Sequence, residues 1–177
     1  MRGINAARRA RCRWLICVVC ACGWGWSGRK PTSKAANLLV DANGGGAALR
    51  RLLQKELAGR FGFAVDVVVR TAAEWQRYVE ANPFVGDIKA LPKMLHLYLP
   101  RDPLKSGAAK ALEPRAQSGE RIGAAAGALW IDYGAHGVAG SKLSPALIDK
   151  AGGSPATGRN WNSVLKISKM IEARASK

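Results

Sequence analysis

The chain has 177 residues, which is enough for one domain or for two small subdomains that share a core. It carries 28 Lys and Arg against 12 Asp and Glu, a formal net charge of +16, and 4 Cys. All four cysteines lie at or before residue 22, which excludes a disulfide framework or a thiolate metal site in the rest of the chain.

The first forty residues differ in composition from the remainder. They contain no Asp or Glu, eight of the 28 Lys and Arg residues, and three of the 6 Trp residues. Without those eight cations, the remaining chain has 20 cations against 12 anions, a balance of +8. A basic body of this size favours weak attraction to nucleic acid or to anionic metabolites.

Two interpretations of this head segment are open. In the first, residues 8–26 are an export signal, with arginines followed by an apolar run that is shorter than the roughly 20 residues of a membrane span. In the second, residues 6–36 are translated in the wrong frame. A shifted reading is compatible with SSALPMADLRRLCLRLGLERSETYIQSG, which has a helical LRRL period, a Gly stop and an alternating strand. We favour the second interpretation and expect residues 6–36 to pack poorly. We therefore predict a cytoplasmic protein, with export as the alternative.

The first half, residues 1–100, has the pattern of a sheet with helices. An opening strand is predicted at 2–5, a strand that ends at 38–40, a helix over 47–59, a strand over 63–69, a helix up to residue 81 and a strand over 94–99. Thr71 and Glu74 have the spacing of a capping box at the start of the second of these helices. The glycine run at 43–46 lacks the following GKS or GKT, so it predicts a turn. The order indicates an α+β fold with a ferredoxin-like N-terminal half.

The second half, residues 101–177, predicts a smaller α+β unit that packs on the first. A helix is expected over 102–112, followed by strands at 121–125 and 129–133. Ser144 and Pro145 open a short helix, as N-cap and first helical residue. The last helix is expected over 160–173, with Trp161 at the start of its apolar stripe.

Seven short segments follow one another along the chain: RGIN at 2–5, NLLV at 37–40, RTAAEW at 70–75, NPF at 82–84, LHL at 95–97, SKL at 141–143 and TGRNWNSVLK at 157–166. In this order they resemble the DUF1697 family of bacterial proteins, over residues 2–5 and 37–177. PMADL and TYIQSG in the shifted frame of 6–36 also match. The family usually ends in TARNWNT, from which Gly158 and Ser163 depart. The resemblance implies one DUF1697 domain and no established activity.

Few residues suit catalysis. His96 lies within a predicted strand and has no carboxylate near it in sequence, while His136 lies on a glycine-rich loop and is a candidate for ligand binding. Asp132 ends a strand beside that loop and suits a turn or sheet edge. No GxSxG or HExxH motif is present, so the sequence leaves open whether the protein is an enzyme.

The best candidate site is the segment 157–162. Thr157 or Asn160 can cap the last helix, whose exposed amides favour an anion. Arg159 adds a bidentate donor, and Asn162 adds an amide. Lys142 on the loop at 140–142 is a candidate to join them. The structural alternative is that Arg159 pairs with a carboxylate of the first half.

The predicted function is therefore an uncharacterised domain that binds an anionic small molecule near residues 157–162. A metabolic enzyme acting on a phosphorylated or carboxylated small molecule is one alternative. A nucleic-acid-binding or purely structural partner protein is another. We expect no cofactor, no metal and no membrane association, and the oligomeric state stays open.

Overall fold

A computed structural model describes residues 12–19, 36–42, 45–86 and 91–175, and it shows a mixed α+β protein with two antiparallel sheets. The first sheet has three strands. β1 (Cys12–Val19) lies between β2 (Ala36–Ala42) and β3 (Asp66–Thr71) and pairs antiparallel with both. All three strands of this sheet belong to the N-terminal half.

Two helices accompany the first sheet. α1 (Gly46–Phe61) lays three leucines on the face of β3 that carries Val67 and Val69. It ends at Gly62, which adopts the left-handed conformation that suits glycine and donates its amide to the Ala58 carbonyl. α2 (Ala72–Glu80) starts from the predicted capping box, which is confirmed: the Glu74 amide donates to Thr71 Oγ1 at 3.0 Å and the Thr71 amide to Glu74 Oε2 at 2.7 Å.

The second sheet has four strands in the order β5-β6-β4-β7. They are β4 (Leu95–Pro100), β5 (Arg121–Ala125), β6 (Ala128–Asp132) and β7 (Ala156–Asn160). One face packs against the helices α3 (Ala108–Leu112) and α4 (Pro145–Gly152), while α5 (Trp161–Ala175) packs on the other face. Successive side chains of β4 point to opposite faces of the sheet. Its leucines point to the face covered by α5, and His96 and Tyr98 point to the face covered by α3 and α4.

One hydrophobic core joins the two sheets. It takes Trp75 and Tyr78 from α2, three leucines from β4, Trp130 from β6, and Val164 and Ile167 from α5. β4 lies before residue 100 but pairs with β6 and β7 beyond it, so the halves 1–100 and 101–177 share this strand as well as the core.

The head segment differs from expectation where it is described. Residues 12–19 were expected to pack poorly, yet they form the central strand of the first sheet. Their sequence, CRWLICVV, is rich in β-branched and aromatic residues, which favour a strand, and the pairing supplies partners for the backbones of β2 and β3. The predicted strand at 2–5 and the rest of 6–36 lie outside the described residues.

Two boundaries in the second half are corrected. The helix expected over 102–112 is confined to Ala108–Leu112, because Gly107 has a φ of 75°, which a right-handed helix excludes. The segment 157–160, expected as a cap before the last helix, is part of the strand β7, so α5 begins at Trp161. In the described part of the chain, no helix is long and apolar enough to cross a bilayer.

Candidate functional site

Arg159, the central residue of the predicted site, is buried in β7. It lies opposite Leu97 of β4 and is 6% exposed. Its Nε donates to Asn37 Oδ1 at 2.9 Å, and its Nη1 donates to Thr157 Oγ1 at 2.5 Å and to the Gly158 carbonyl at 2.7 Å. Arg159 therefore fastens the start of β2 to β7.

The charge of Arg159 is met by neutral oxygens. No carboxylate contacts it within the described residues, so the ion pair with the first half that was expected as the structural alternative is not formed there. Nη2 is buried and has no hydrogen-bond partner among the residues that the structure describes. Burial of a charge without an oppositely charged partner costs free energy. The three hydrogen bonds to neutral oxygens offset part of that cost for the Arg159 guanidinium.

The other residues of the segment 157–162 serve the start of α5. Asn160 Oδ1 accepts a hydrogen bond from the Ser163 amide at 2.9 Å, so Asn160 and not Thr157 is the N-cap. Asn162 is exposed in the first turn of the helix. Trp161 is half-buried, and its ring centroid lies 5.6 Å from that of Trp130. The segment is thus largely committed to packing and capping.

Lys142 and His136 do not join this segment. Lys142 Nζ donates to Gln117 Oε1 at 2.9 Å beside the start of β5, and His136 is exposed in a short 3-10 helix after β6. β5 and β7 are the opposite edges of the sheet, three strand spacings or about 14 Å apart. The six predicted site residues therefore fall at two separate places.

Glu120 contacts the SKL segment at 141–143, which contains Lys142. Its carboxylate is buried at 8% exposure and accepts the Ser141 hydroxyl and, at 2.7 Å, the Ser118 amide. Burial alone raises the pKa of Glu120, but the hydrogen bonds from Ser141 and from backbone amides outweigh it and hold the pKa below its usual value. The contact pins the loop before β5 to the loop before α4.

We expect Glu120→Gln to lower the free energy of unfolding by about 1–3 kcal/mol at about pH 7, because charge-assisted hydrogen bonds are lost in a buried place. The pKa of Glu120 is lowered on folding, so its contribution is present above the ordinary value of 4.5 and is lost as pH falls through the folded value. Denaturant unfolding at about pH 7 and about pH 3 measures this difference. Glu113→Gln at an exposed site is the control, and a gap between wild type and Glu120→Gln that widens on acidification contradicts the prediction.

Two tyrosines and His96 form a second cluster, on the α3 and α4 face of the sheet. The hydroxyls of Tyr98 and Tyr133 lie 2.7 Å apart, and burial raises the pKa of both. The His96 ring meets Tyr133 edge-on at 5.2 Å, with Nδ1 3.2 Å from the Met94 carbonyl, and burial lowers its pKa. The Tyr98 ring lies on Gly158, where a Cβ would sit 2.6 Å from Cε1, so the departure from Ala at this position fits the ring. Within the described residues no carboxylate orients His96, which leaves the cluster a packing role.

A cleft of about 490 Å³ that the sequence did not indicate lies between α1, the end of β3 and α2. We call it the arginine cleft. It is lined by Gly46, Ala47, Arg50, Val69, Arg70, Thr71, Glu74 and Arg77.

Three guanidinium groups lie at the arginine cleft. Arg70 is fixed by neutral acceptors: its Nε donates to Tyr78 Oη at 3.0 Å, its Nη1 to the Val69 carbonyl at 2.8 Å and its Nη2 to the Pro100 carbonyl. Arg77 is exposed, and neither arginine pairs with a carboxylate in the described chain. Arg50 Nη1 lies 3.1 Å from Asp102 Oδ1.

The amino end of α1 opens on the same cleft. No described side chain caps this helix, and its first turn has no acidic residue. The first amides of a helix have no intrahelical partner and carry the positive end of the helix dipole. Gly46 and Ala47 therefore add donors of positive character to the three arginines.

A chain of ion pairs separates the arginine cleft from a second cleft of about 450 Å³ near the carboxyl end of α1. Arg101 lies 2.9 Å from Asp66 and 3.0 Å from Asp102, which in turn pairs with Arg50. The hydrogen bond from Arg101, helped by Arg50, lowers the pKa of Asp102. The lining of the second cleft has two cations, Lys55 and Arg101, and Arg101 is paired with Asp66 and Asp102, so fewer cations are available to an anion there than in the arginine cleft. Among the described residues, no three His, Cys, Asp or Glu side chains come close enough to hold a metal ion.

The comparisons with known proteins give one match. The family described as "Protein of unknown function (DUF1697)" matches residues 1–130, which include the first sheet, the arginine cleft, β4, β5 and the first part of β6. The segment 157–166 lies beyond the matched range. No curated protein and no solved structure matches the chain. Since the match covers well over half of its length, the chain belongs to the DUF1697 family, whose function is unknown.

Proposed function

We propose that the protein binds a small anionic ligand with a phosphate group in the arginine cleft. The observation that carries this proposal is the convergence of Arg50, Arg70 and Arg77, from three different elements, on an uncapped helix start. Guanidinium groups bind phosphate through paired hydrogen bonds, and helix amino ends favour anions.

The charge balance of the cleft supports an anion. Its lining holds three cations and one carboxylate, that of Glu74, and one of the cations, Arg50, is paired with Asp102 outside the lining. The guanidinium of Arg70 donates hydrogen bonds to neutral oxygens, and these bonds fix its position. No described carboxylate compensates its charge. A fixed cation needs little reorganisation when an anion arrives, which favours binding.

The cleft suits this role better than the segment 157–162, where the anion site was predicted. Arg159 is buried and donates to Asn37 and Thr157, and the Asn160 side chain is used as a helix cap. A solvated ligand reaches the half-buried and exposed arginines of the cleft more easily than it reaches Arg159. The proposed ligand is an anion, as the sequence predicts, but the proposed site is the arginine cleft and not the segment 157–162.

Binding without catalysis is the better supported role. The one hydroxyl in the lining, that of Thr71, donates to Glu74 Oε2 at 2.9 Å and accepts the Glu74 amide, so it is engaged in the helix cap. Among the described residues that line the cleft, no Ser, Cys or His offers a nucleophile or base. The alternative of an enzyme that acts on a phosphorylated small molecule stays a prediction.

We expect Arg77→Gln to weaken the binding of inorganic phosphate at least about fivefold, since one charge-assisted contact is removed. The Arg77 side chain is exposed and makes no hydrogen bond or ion pair with the described part of the chain, so this change is expected to leave the fold intact. Isothermal titration calorimetry on the full chain measures the affinity of wild type and variant at low salt, where screening is weak.

The matched control is Arg51→Gln. Arg51 lies on α1 next to Arg50, is exposed, and is not part of the cleft lining, so its loss changes the net charge equally. Equal weakening in the two variants assigns binding to the overall positive charge and overturns the proposal. The absence of phosphate binding by wild type at millimolar concentrations overturns it as well.

Several finer predictions are kept as proposals. They are the ferredoxin-like arrangement of residues 1–100, the wrong translation frame of 6–36 and the cytoplasmic location. The nucleotide sequence of codons 6–36 tests the frame directly. A nucleic-acid partner also remains a proposal, which the net charge of +16 supports.

A further inference from the structure

We infer that the ligand of the arginine cleft is a phosphate ester with free hydroxyl groups, that is, a phosphorylated polyol or sugar. This inference rests on the proposed phosphate site. It goes beyond that site by assigning the non-phosphate part of the ligand, and it is carried by the one acidic residue of the lining, Glu74.

Glu74 has one engaged and one open carboxylate oxygen. Oε2 accepts the Thr71 amide at 2.7 Å and the Thr71 hydroxyl at 2.9 Å. No described group donates to Oε1, and the residue is half-buried at the cleft wall. The capping box holds this carboxylate in place, so Oε1 is a fixed hydrogen-bond acceptor in the same lining as the three arginines.

An ionised carboxylate oxygen accepts hydrogen bonds and cannot donate them. Beside a phosphate site, it favours a ligand whose neighbouring group is a donor, and a hydroxyl is the neutral donor that phosphate esters of polyols carry. The same carboxylate repels a second phosphate or carboxylate placed against it. The lining therefore selects a monophosphate with hydroxyls over pyrophosphate or a diphosphate.

The rest of the lining is unsuited to a nucleobase. Besides the charged residues, the described lining consists of Gly46, Ala47, Val69 and Thr71, none of which offers an aromatic ring for a base to stack on. A volume of about 490 Å³ holds a small ligand, within the range of about 300–1,000 Å³ for small-molecule sites. Polar and compact, the cleft fits a phosphorylated sugar better than a nucleotide.

The test compares three probes by calorimetry on the full chain: inorganic phosphate, glycerol 3-phosphate and AMP. Wild type is expected to bind glycerol 3-phosphate about tenfold more tightly than phosphate, as one hydrogen bond to a charged group supplies. AMP also carries sugar hydroxyls, so it is expected to bind no more tightly than glycerol 3-phosphate, because its base gains nothing from the described lining. Tighter binding of AMP than of glycerol 3-phosphate overturns the assignment.

Glu74→Gln separates the hydroxyl contact from the phosphate contact. Gln serves in a capping box as Glu does, so the start of α2 is kept while the charge is removed. The variant is expected to bind phosphate more tightly than wild type, because a negative charge beside the anion is removed, and to lose the preference for glycerol 3-phosphate. Glu80→Gln, on the same helix but exposed and paired with Gln76, is expected to change neither affinity.

The two proposals fail in different ways. Loss of the phosphate site shows as no phosphate binding, or as binding that ignores Arg77→Gln. The polyol assignment fails by itself if phosphate binds through Arg77 but wild type shows no preference for glycerol 3-phosphate, or if Glu74→Gln keeps that preference.

Discussion

Trp75→Ala is expected to lower the free energy of unfolding by about 3–5 kcal/mol, the range for truncation of a large buried aromatic residue. Trp75 lies in α2, is 1% exposed and belongs to the core that joins the two sheets. Its Nε1 donates to Ser168 Oγ of α5 at 3.1 Å, which links helices from the two halves. Truncation therefore leaves a cavity at the junction and removes this hydrogen bond.

Denaturant unfolding followed by circular dichroism measures the change, and two variants separate its parts. Trp75→Phe keeps most of the ring and loses the hydrogen bond, so about 1–2 kcal/mol is expected. Leu165→Ala on α5, where the side chain is 39% exposed, is the control and is expected to cost less than about 1 kcal/mol. A Trp75→Ala variant as stable as the control means that α2 and α5 do not share a core.

The elements predicted from sequence are those whose signals are local. Thr71 and Glu74 are three residues apart, and their capping box is formed as the spacing implies. The strand before it alternates cleanly, with Val67 and Val69 facing α1 and Val68 facing the central core. In both cases the decisive contacts lie within one element or with its immediate neighbour, so composition and period were enough.

The strand β7 could not be predicted because its determinants are distant. The letters TGRN contain a glycine and two residues that favour caps and turns, which indicates a helix start. In the fold, Gly158 makes room for the Tyr98 ring, and Arg159 finds Asn37 far away in sequence. Pairing with β4 overrides the local preference, as tertiary contacts commonly do in sheets.

The arginine cleft was missed for a related reason. Arg50, Arg70 and Arg77 lie on a helix, a strand end and a second helix, and nothing in their spacing brings them together. The glycine run before α1 was interpreted as a turn because no lysine motif follows it. Whether the start of α1 can bind an anion depends on which side chains surround it. The packing of α1 on β3 determines which side chains these are.

Arg159→Ala is expected to cost about 2–4 kcal/mol of unfolding free energy, because hydrogen bonds to buried acceptors are lost and a cavity is left. Arg159→Met is expected to cost about half as much, since Met keeps most of the volume and removes a buried charge that no described carboxylate compensates. Denaturant unfolding of both variants measures the order. Arg115→Ala, at an exposed arginine, is the control and is expected to stay within about 0.5 kcal/mol of wild type.

The same variants decide between the two places for an anion. If Arg159 is structural, Arg159→Met keeps the affinity for phosphate while Arg77→Gln lowers it. Arg77 lies on the helix α2 and Arg159 on the strand β7, so the effects on stability and on binding are expected to be separate and additive. Loss of phosphate binding in a folded Arg159→Met variant moves the ligand to β7, where the buried and unpartnered Nη2 is the donor that would receive it.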